Sequence, residues 1–311
     1  MSEPPEPSRA ALIDLHSHTT ASDGSLSPAE LVARAQRAGL AALGITDHDT
    51  FGGYEEAVPL AHAAALDLVR GIELNSRLAL GNGGRITYAH LLGYWPSHPP
   101  SADFSAWLET ERADRRDRNS RLAKALAQRG LEITLAEVEA RGRSLTGRTH
   151  FATILVEKGY AADREDAFRR YLGETAPSYV ERQSESTEQV IGRIRSSGGI
   201  PVLAHPIRLG LPSHDQRNVL ERLKEAGLLG LEIYHSEHSP ELQAHYRELA
   251  EDLDLLPTGG SDFHGTPKPD TELGSGVRSN LRVPRELLDR MRAFSRSQLN
   301  DSAKEGVRQR H

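Results

Sequence analysis

The chain alternates between short apolar runs and longer amphipathic stretches, and the first run sets the theme. Leu12-Ile13-Asp14-Leu15-His16-Ser17-His18 predicts a buried strand ending in His-x-His. Alternate strand side chains share a side, roughly 6.6 Å apart, so two imidazoles converge on one point. Further strand-like runs cover Leu40 to Thr46, Leu68 to Leu74, Arg85 to Tyr94, Ile200 to Ala204, Leu229 to Tyr234 and Leu255 to Thr258. Ser27-Pro28-Ala29-Glu30 is a capping box with proline at the first helical position; its helix runs to Ala38 and stops at Gly39. Other helices are predicted over Tyr54 to Ala65, Thr187 to Ser197, Asp215 to Ala226, Pro240 to Asp252 and Pro284 to Phe294. Gly81-Asn82-Gly83-Gly84 joins the third and fourth strands directly, as a hairpin-like turn. Strand and helix in alternation, with ligand-type residues at strand ends, predict an α/β barrel whose site lies at its C-terminal rim.

Between Pro96 and Gln183 the strand signals vanish. A long helical pattern over Phe104 to Gln128 ends at Gly130, a capping box stands at Thr134-Leu135-Ala136-Glu137, and helices follow over Thr149 to Lys158 and Arg164 to Leu172. Most of Glu109 to Arg121 reads as a solvated helix face. The pattern predicts an all-helical insertion over 96–183, dividing a barrel made of 11–95 and 184–294. Residues 1–10, rich in proline and glutamate without apolar anchors, predict a disordered tail, and 295–311 a polar, frayed one.

Composition narrows the partners. With 38 Lys and Arg against 44 Asp and Glu the formal charge is −6, which argues against capture of long nucleic acid. Met1-Ser2-Glu3-Pro4-Pro5-Glu6-Pro7 lacks the basic start and apolar core of a signal peptide. No apolar run approaches the roughly 20 residues of a membrane span. The expectation is a cytoplasmic protein without membrane contact, stable nucleic-acid complex or obligate protein partner.

Absence of cysteine excludes disulfides, thiolate zinc sites and thiol nucleophiles together, so any metal is held by His, Asp and Glu. Of 14 histidines, the strand-end rule selects six: His16, His18, His48, His90, His205 and His264. A single histidine is most often a hydrogen-bonded or solvent-facing residue. Six of them, with Glu73 and Asp262, at successive strand ends form a set. Asp23 adds another carboxylate from the first loop, although Ser22-Asp23-Gly24 also reads as an ordinary turn.

His16-Ser17-His18 followed by Asp23-Gly24, then Gly44-Ile45-Thr46-Asp47-His48-Asp49, Ala204-His205-Pro206 and Ser261-Asp262-Phe263-His264, resembles the polymerase and histidinol phosphatase (PHP) superfamily along nearly the whole chain. The resemblance implies an α/β fold, a distorted (β/α)7 barrel holding two to three divalent ions. By motif position His16, His18, Glu73 and Asp262 would hold one; Glu73, as a bridge, with His90 and His205 a second; Asp23, His48 and His264 a third. Manganese is the first expectation, with iron or zinc as alternatives. Asp47 and Asp49 flank His48 and are expected to orient it. His235, after its strand, either protonates a leaving oxygen or supports the ligands from behind.

Within the insertion, Gly147-Arg148-Thr149-His150-Phe151, Leu155-Val156-Glu157-Lys158-Gly159-Tyr160 and Pro177-Ser178-Tyr179-Val180 resemble a branch of small bacterial PHP phosphoesterases. That branch includes nucleoside 3',5'-bisphosphate phosphatases and enzymes that trim short RNAs from the 5' end. Thr149 stands where proline is usual there, and Val180-Glu181-Arg182 where a basic residue is common. The implied reaction is metal-dependent hydrolysis. Three ions against three carboxylates leave roughly +3, a natural host for a phosphate ester, and a metal-activated hydroxide attacks phosphorus without a protein nucleophile. Arg148 either clamps a second phosphate through its fixed fork of donors or is a surface arginine opening a helix. Tyr179 and Arg182 are the other substrate-binding candidates.

The first expected substrate is a nucleoside 3',5'-bisphosphate such as pAp, losing its 3'-phosphate. The alternative is a 5'-to-3' exoribonuclease on short 5'-phosphorylated RNA, which a groove lined by Arg112, Arg115, Arg116 and Arg118 would favour. Histidinol phosphate gives Arg148 no second phosphate to bind. A metal-binding sensor without turnover has no need of so complete a ligand set.

Overall fold

The structure, a computed structural model, describes residues 12–80, 85–142, 146–181 and 184–308, with side chains through 299. Three expectations fall outside the described residues: the tail over 1–10, the Gly81-Asn82-Gly83-Gly84 turn and Arg182. Strands β1 (Leu12–Asp14), β2 (Ala42–Ile45), β3 (Asp67–Leu80), β4 (Arg85–Tyr94), β5 (Ile200–Leu203), β6 (Gly230–His235) and β7 (Leu256–Gly260) form one sheet in sequence order. Neighbours are parallel except around β4, which runs antiparallel to β3 and β5. Beyond β8 (Thr271–Glu272) and β9 (Gly276–Val277), which pair only with each other, β10 (Val283–Pro284) pairs antiparallel with β1 at the sheet edge.

The sheet curls until its first and last long strands meet. Leu15 N–H donates to Gly259 O at 3.2 Å, and Ser17 bridges Phe263 in parallel register. Gly260 permits this approach, since a Cβ there would lie 2.2 Å from His16 N. This nearly closed sheet with helices outside is the barrel that the alternation predicts.

The helices follow their local signals closely. Helix α1 (Pro28–Ala38) has both hydrogen bonds of its capping box, and Gly39 takes the left-handed conformation, φ 70°, that ends it. Next comes α2 (Gly52–Ala63). The segment after β4 holds α3 (Ala102–Ala127), α4 (Leu135–Glu139), α5 (Arg148–Glu157), α6 (Arg164–Ala167) and a π-turn over Phe168–Leu172. Helix α3 joins two cores: Phe104 and Leu108 pack with Trp95 and Ile194 of the barrel, Leu122 and Leu126 with Phe151 and Leu155 of the helical segment. Then follow α7 (Thr187–Ser196), α8 (Ser213–Glu225), α9 (Pro240–Asp252) and α10 (Arg285–Arg308), whose Leu287, Leu288 and Met291 pack on Ile13, Val69, Tyr94 and Val202. Among the described residues no helix is long and apolar enough to cross a membrane.

Several boundaries differ from the sequence pattern. Strand β3 runs six residues past Leu74, because ten successive cross-strand pairs from Gly71↔Tyr94 to Leu80↔Arg85 support it. Glu73 and His90 therefore sit within long strands, not at strand ends. Pro284 belongs to β10, and α10 continues well past Phe294 because no glycine or proline interrupts it before Gly306. The face of α3 predicted to be solvated carries Glu111, Arg115, Arg118 and Asn119, all buried.

Candidate metal centre

Two sequence-local pairs are brought side by side by barrel closure. The backbone of His16 and His18 runs beside that of Asp262 and Phe263, with Asp262 N–H donating to His16 O at 2.8 Å and His18 N–H to Phe263 O at 2.9 Å. Asp14 locks the arrangement: its carboxylate accepts from Ser261 N–H at 2.9 Å, Ser261 Oγ at 2.6 Å and Gly274 N–H at 2.7 Å. Asp262 and His205 both hold positive φ, 56° and 25°, a strained backbone of the kind that the surroundings must impose.

The nine residues singled out as ligands meet in three groups: His16, His18, Glu73 and Asp262; Glu73, His90 and His205; and His18, Asp23, His48 and His264. Within each, the candidate ligand atoms lie within 4.8 Å of one another. Glu73 faces two groups with different oxygens. Its Oε1 is 2.7 Å from His90 Nδ1 and 2.9 Å from His205 Nε2, while Oε2 is 3.1 Å from His18 Nε2 and 3.4 Å from His16 Nε2. Asp262 Oδ1 closes the first group at 3.4 Å from His18 Nε2 and 3.5 Å from His16 Nε2. Asp23 Oδ1 stands 3.2 Å from His264 Nε2 and 3.9 Å from His48 Nε2.

This donor set fits divalent ions. His16 Nε2, His18 Nε2, His48 Nδ1 and Asp23 Oδ1 are buried without a hydrogen-bond partner among the described residues, and they converge on the same small volume. Buried polar atoms left unpaired are costly unless something satisfies them. With the protein's own charges alone, burial pulls the imidazoles toward neutrality, to about 4 at His48 and about 3 at His205. At His16 and His18 the neighbouring carboxylates outweigh burial and hold the rings above the usual imidazole range, to about 9 at His18. Against the same burial, neighbouring imidazoles hold Glu73 and Asp23, and Lys268 with imidazoles holds Asp262, well below the usual carboxylate range. Neutral imidazoles and ionised carboxylates are the forms that bind metal, so an ion bound by His16 and His18 would displace a proton from each.

The supporting residues are partly unexpected. Asp47 does not address the His48 ring; its carboxylate accepts from Thr19 N–H at 2.8 Å, Thr19 Oγ1 at 2.7 Å and Ser22 Oγ at 2.6 Å, shaping the loop that carries Asp23. Asp49 pairs with Arg115 of α3. Glu232, unnoticed in the sequence, is fully buried; its one available signal is a carboxylate within the apolar run Leu231 to Tyr234. His235 Nε2 lies 3.5 Å from Asp262 Oδ2, behind that ligand.

A cleft opens onto this centre, lined by Asp23, His48 and His90 together with Tyr88, Arg115, Arg118, Arg148, Phe168 and Tyr179. Arg148 therefore points into the site: its guanidinium lies 5.7 Å from the Tyr179 ring and 5.9 Å from the Phe168 ring, and donates to Leu172 O at 3.2 Å. Tyr179 and Tyr88 are joined through their hydroxyls at 3.0 Å. Arg112 and Arg116 are absent from the cleft wall, the former paired with Glu109 and the latter with Glu139.

A PHP domain model matches residues 14–205, more than half of the chain. The chain belongs to the PHP family. It is 33% identical, over 85% of its length and 91% of the relative's, to a 3',5'-nucleoside bisphosphate phosphatase of Chromobacterium violaceum. With the 5'-3' exoribonuclease Rnm of Escherichia coli the identity is 36%, over 85% and 89% of the two chains. A solved structure from Chromobacterium violaceum, titled an amidohydrolase with bound sulfate, superposes with a TM-score of 0.74 at 30% identity, covering 90% of this chain and 97% of that one. As a PHP protein with phosphatase and nuclease relatives at this coverage, the chain is a hydrolytic phosphoesterase, and its His, Asp and Glu clusters fit divalent-metal use.

Proposed function

We propose that this PHP enzyme hydrolyses the 3'-phosphate ester of a nucleoside that also carries a 5'-phosphate, with nucleoside 3',5'-bisphosphates as its first substrate. The observation behind this reading is that Arg148 and Arg118 share one cleft with Asp23, His48 and His90. In this reading His16, His18, Glu73 and Asp262, then Glu73, His90 and His205, then Asp23, His48 and His264, hold up to three divalent ions, manganese first. Such ions supply Lewis acidity and lower the pKa of water.

The chain's own residues do the rest. Arg148 and Arg118 bind the 5'-phosphate, with guanidinium geometry suited to two oxygens at once. Tyr179, Tyr88 and Phe168 wall the cleft where the nucleoside lies, and their rings exclude water from it. Glu73 orients five imidazoles around itself, those of His16, His18, His48, His90 and His205, and Glu232 and Asp47 hold the ligand-bearing segments behind them. Arg115 is held by Asp49 and lines the entrance.

Short 5'-phosphorylated RNA is the second reading, favoured by Arg115 and Arg118 facing the cleft from α3 and by the names of the exoribonuclease relatives. Product analysis of manganese-loaded protein tests both. Adenosine 3',5'-bisphosphate should yield AMP and phosphate; a protein inert toward it in the presence of manganese has another substrate.

A further inference from the structure

Two members of the third ligand group are carried by loops, Asp23 between β1 and α1 and His48 between β2 and α2. Each loop is met by a side chain from the helical segment. From α3, Arg115 reaches Asp49, the residue after His48: its Nε donates to Asp49 Oδ2 at 2.9 Å, a terminal nitrogen pairs with the same oxygen, and both residues are buried. Asp49 holds a left-handed φ of 49° and donates its N–H to Glu73 O at 3.1 Å, a conformation that surroundings must impose on a residue other than glycine.

From α5, His150 reaches the loop of Asp23. Its Nδ1 accepts the Gly147 N–H at 3.1 Å, so the ring carries its proton on Nε2 and donates to the backbone carbonyl of Ser22. Both nitrogens are thereby engaged, and His150 is absent from the cleft wall. The two arms meet at one turn. Asn119 of α3 donates to Thr146 O at 2.9 Å, and a Cβ added to Gly147 would lie 3.2 Å from Arg115 Nη1. Arg148 follows directly and enters the cleft from there.

We infer that Arg115 and His150 are positioning residues that couple the helical segment to the group of Asp23, His48 and His264, so that this group's affinity for a divalent ion depends on how the segment is seated. The inference rests on the third-ion assignment above and not on the choice of nucleotide. A partner behind a ligand fixes where its donor atom points, and losing one commonly costs roughly 10- to 100-fold in metal affinity. The other groups are held from within the barrel: Asp14 holds Ser261 beside Asp262, and Glu232 hydrogen-bonds the His16 ring and the His205 N–H. Loosening the helical segment therefore reaches the third group alone, together with the turn from which Arg148 departs.

Manganese titration of the metal-free full chain by calorimetry, with bound metal counted after dialysis, tests this. Asp23→Asn marks which binding step belongs to the third group. His150→Ala should weaken that step by about tenfold and leave the others unchanged. His150→Gln, whose amide can accept from Gly147 and donate to Ser22, should recover most of the loss. Arg115→Lys keeps the charge but not the fork, and should weaken the same step about threefold. A loss spread evenly over all steps, or no loss in variants that circular dichroism shows to be folded, overturns the inference. A wild-type titration with no step that Asp23→Asn removes overturns it too. No nucleotide enters these measurements, so release of AMP from adenosine 3',5'-bisphosphate decides the substrate reading separately.

Discussion

Glu232 Oε1 lies 2.8 Å from His16 Nδ1, and the other oxygen of the same carboxylate accepts the backbone N–H of His205 at 2.7 Å. Burial alone would raise this carboxyl, but the charge and hydrogen bond of His16 outweigh it and bring it down to about 2. An ionised carboxylate only accepts, so His16 Nδ1 carries a proton and Nε2 is the ring nitrogen left to serve as the ligand atom, on the side of Glu73 and Asp262. One buried side chain thereby sets a ligand of the first group and the strained backbone of a ligand in the second.

Glu232→Gln puts a donor where one of these acceptors stands. Manganese affinity, read by calorimetry with circular dichroism to verify folding, should fall by about 10- to 100-fold. Unchanged affinity in a folded variant removes Glu232 from the support of the site.

Asp262→Asn replaces an ionised ligand by a neutral amide. Phosphoester hydrolysis should be abolished and the metal content of the purified protein reduced; full turnover in a pure preparation would refute the ligand assignment.

Arg148 distinguishes a bisphosphate from a monophosphate. With Arg148→Ala, KM for adenosine 3',5'-bisphosphate should rise by about tenfold or more, and Arg148→Lys should recover only part of it. Adenosine 3'-monophosphate, lacking the 5'-phosphate, should be cleaved equally by all three proteins. An equal loss on both substrates would make Arg148 a structural residue instead.

Asp67, at the start of β3, ties α10 to the barrel. It accepts from Arg285 at 2.6 Å and from both terminal nitrogens of Arg292 at 2.7 Å. The Arg292 hydrogen bonds, against some opposing burial, hold its carboxyl below 3.8. The lowered folded value means that this contribution is complete above the unfolded pKa and disappears as pH falls through the folded one. Asp67→Asn should cost about 1 kcal/mol at neutral pH, and chemical denaturation should show the difference shrinking below pH 4. A pH-independent difference would assign the loss to packing.

Features whose chemistry is local are legible in the sequence. The capping boxes at Ser27 and Thr134, the helix stop at Gly39 and the span Pro240–Asp252 depend on neighbours a few residues away. The ligand types of His16-x-His18 and Asp262-x-His264 are equally local. Adjacency to His48 says nothing about where the Asp47 carboxylate points; Thr19 and Ser22 reach it only after the first loop folds over. Arg115 and Arg118 look like a solvated face because their burial depends on a cleft built from other segments. Two-residue strands such as β10 are too short to show a period of two.

By itself the sequence determined the alternation of strands and helices, the helical segment between Tyr94 and Thr187, and the identity of nine residues able to bind metal, because residue type and short-range periodicity carry that information. Tertiary structure alone decided that the nine form three touching groups around Glu73. It also decided that Glu232 sets His16 and that Arg148 and Arg118 face the same cleft. Those facts depend on how the barrel closes and on which side chains lose water together, and residues as far apart as His16 and Asp262 meet only when the first and last strands of the sheet come side by side.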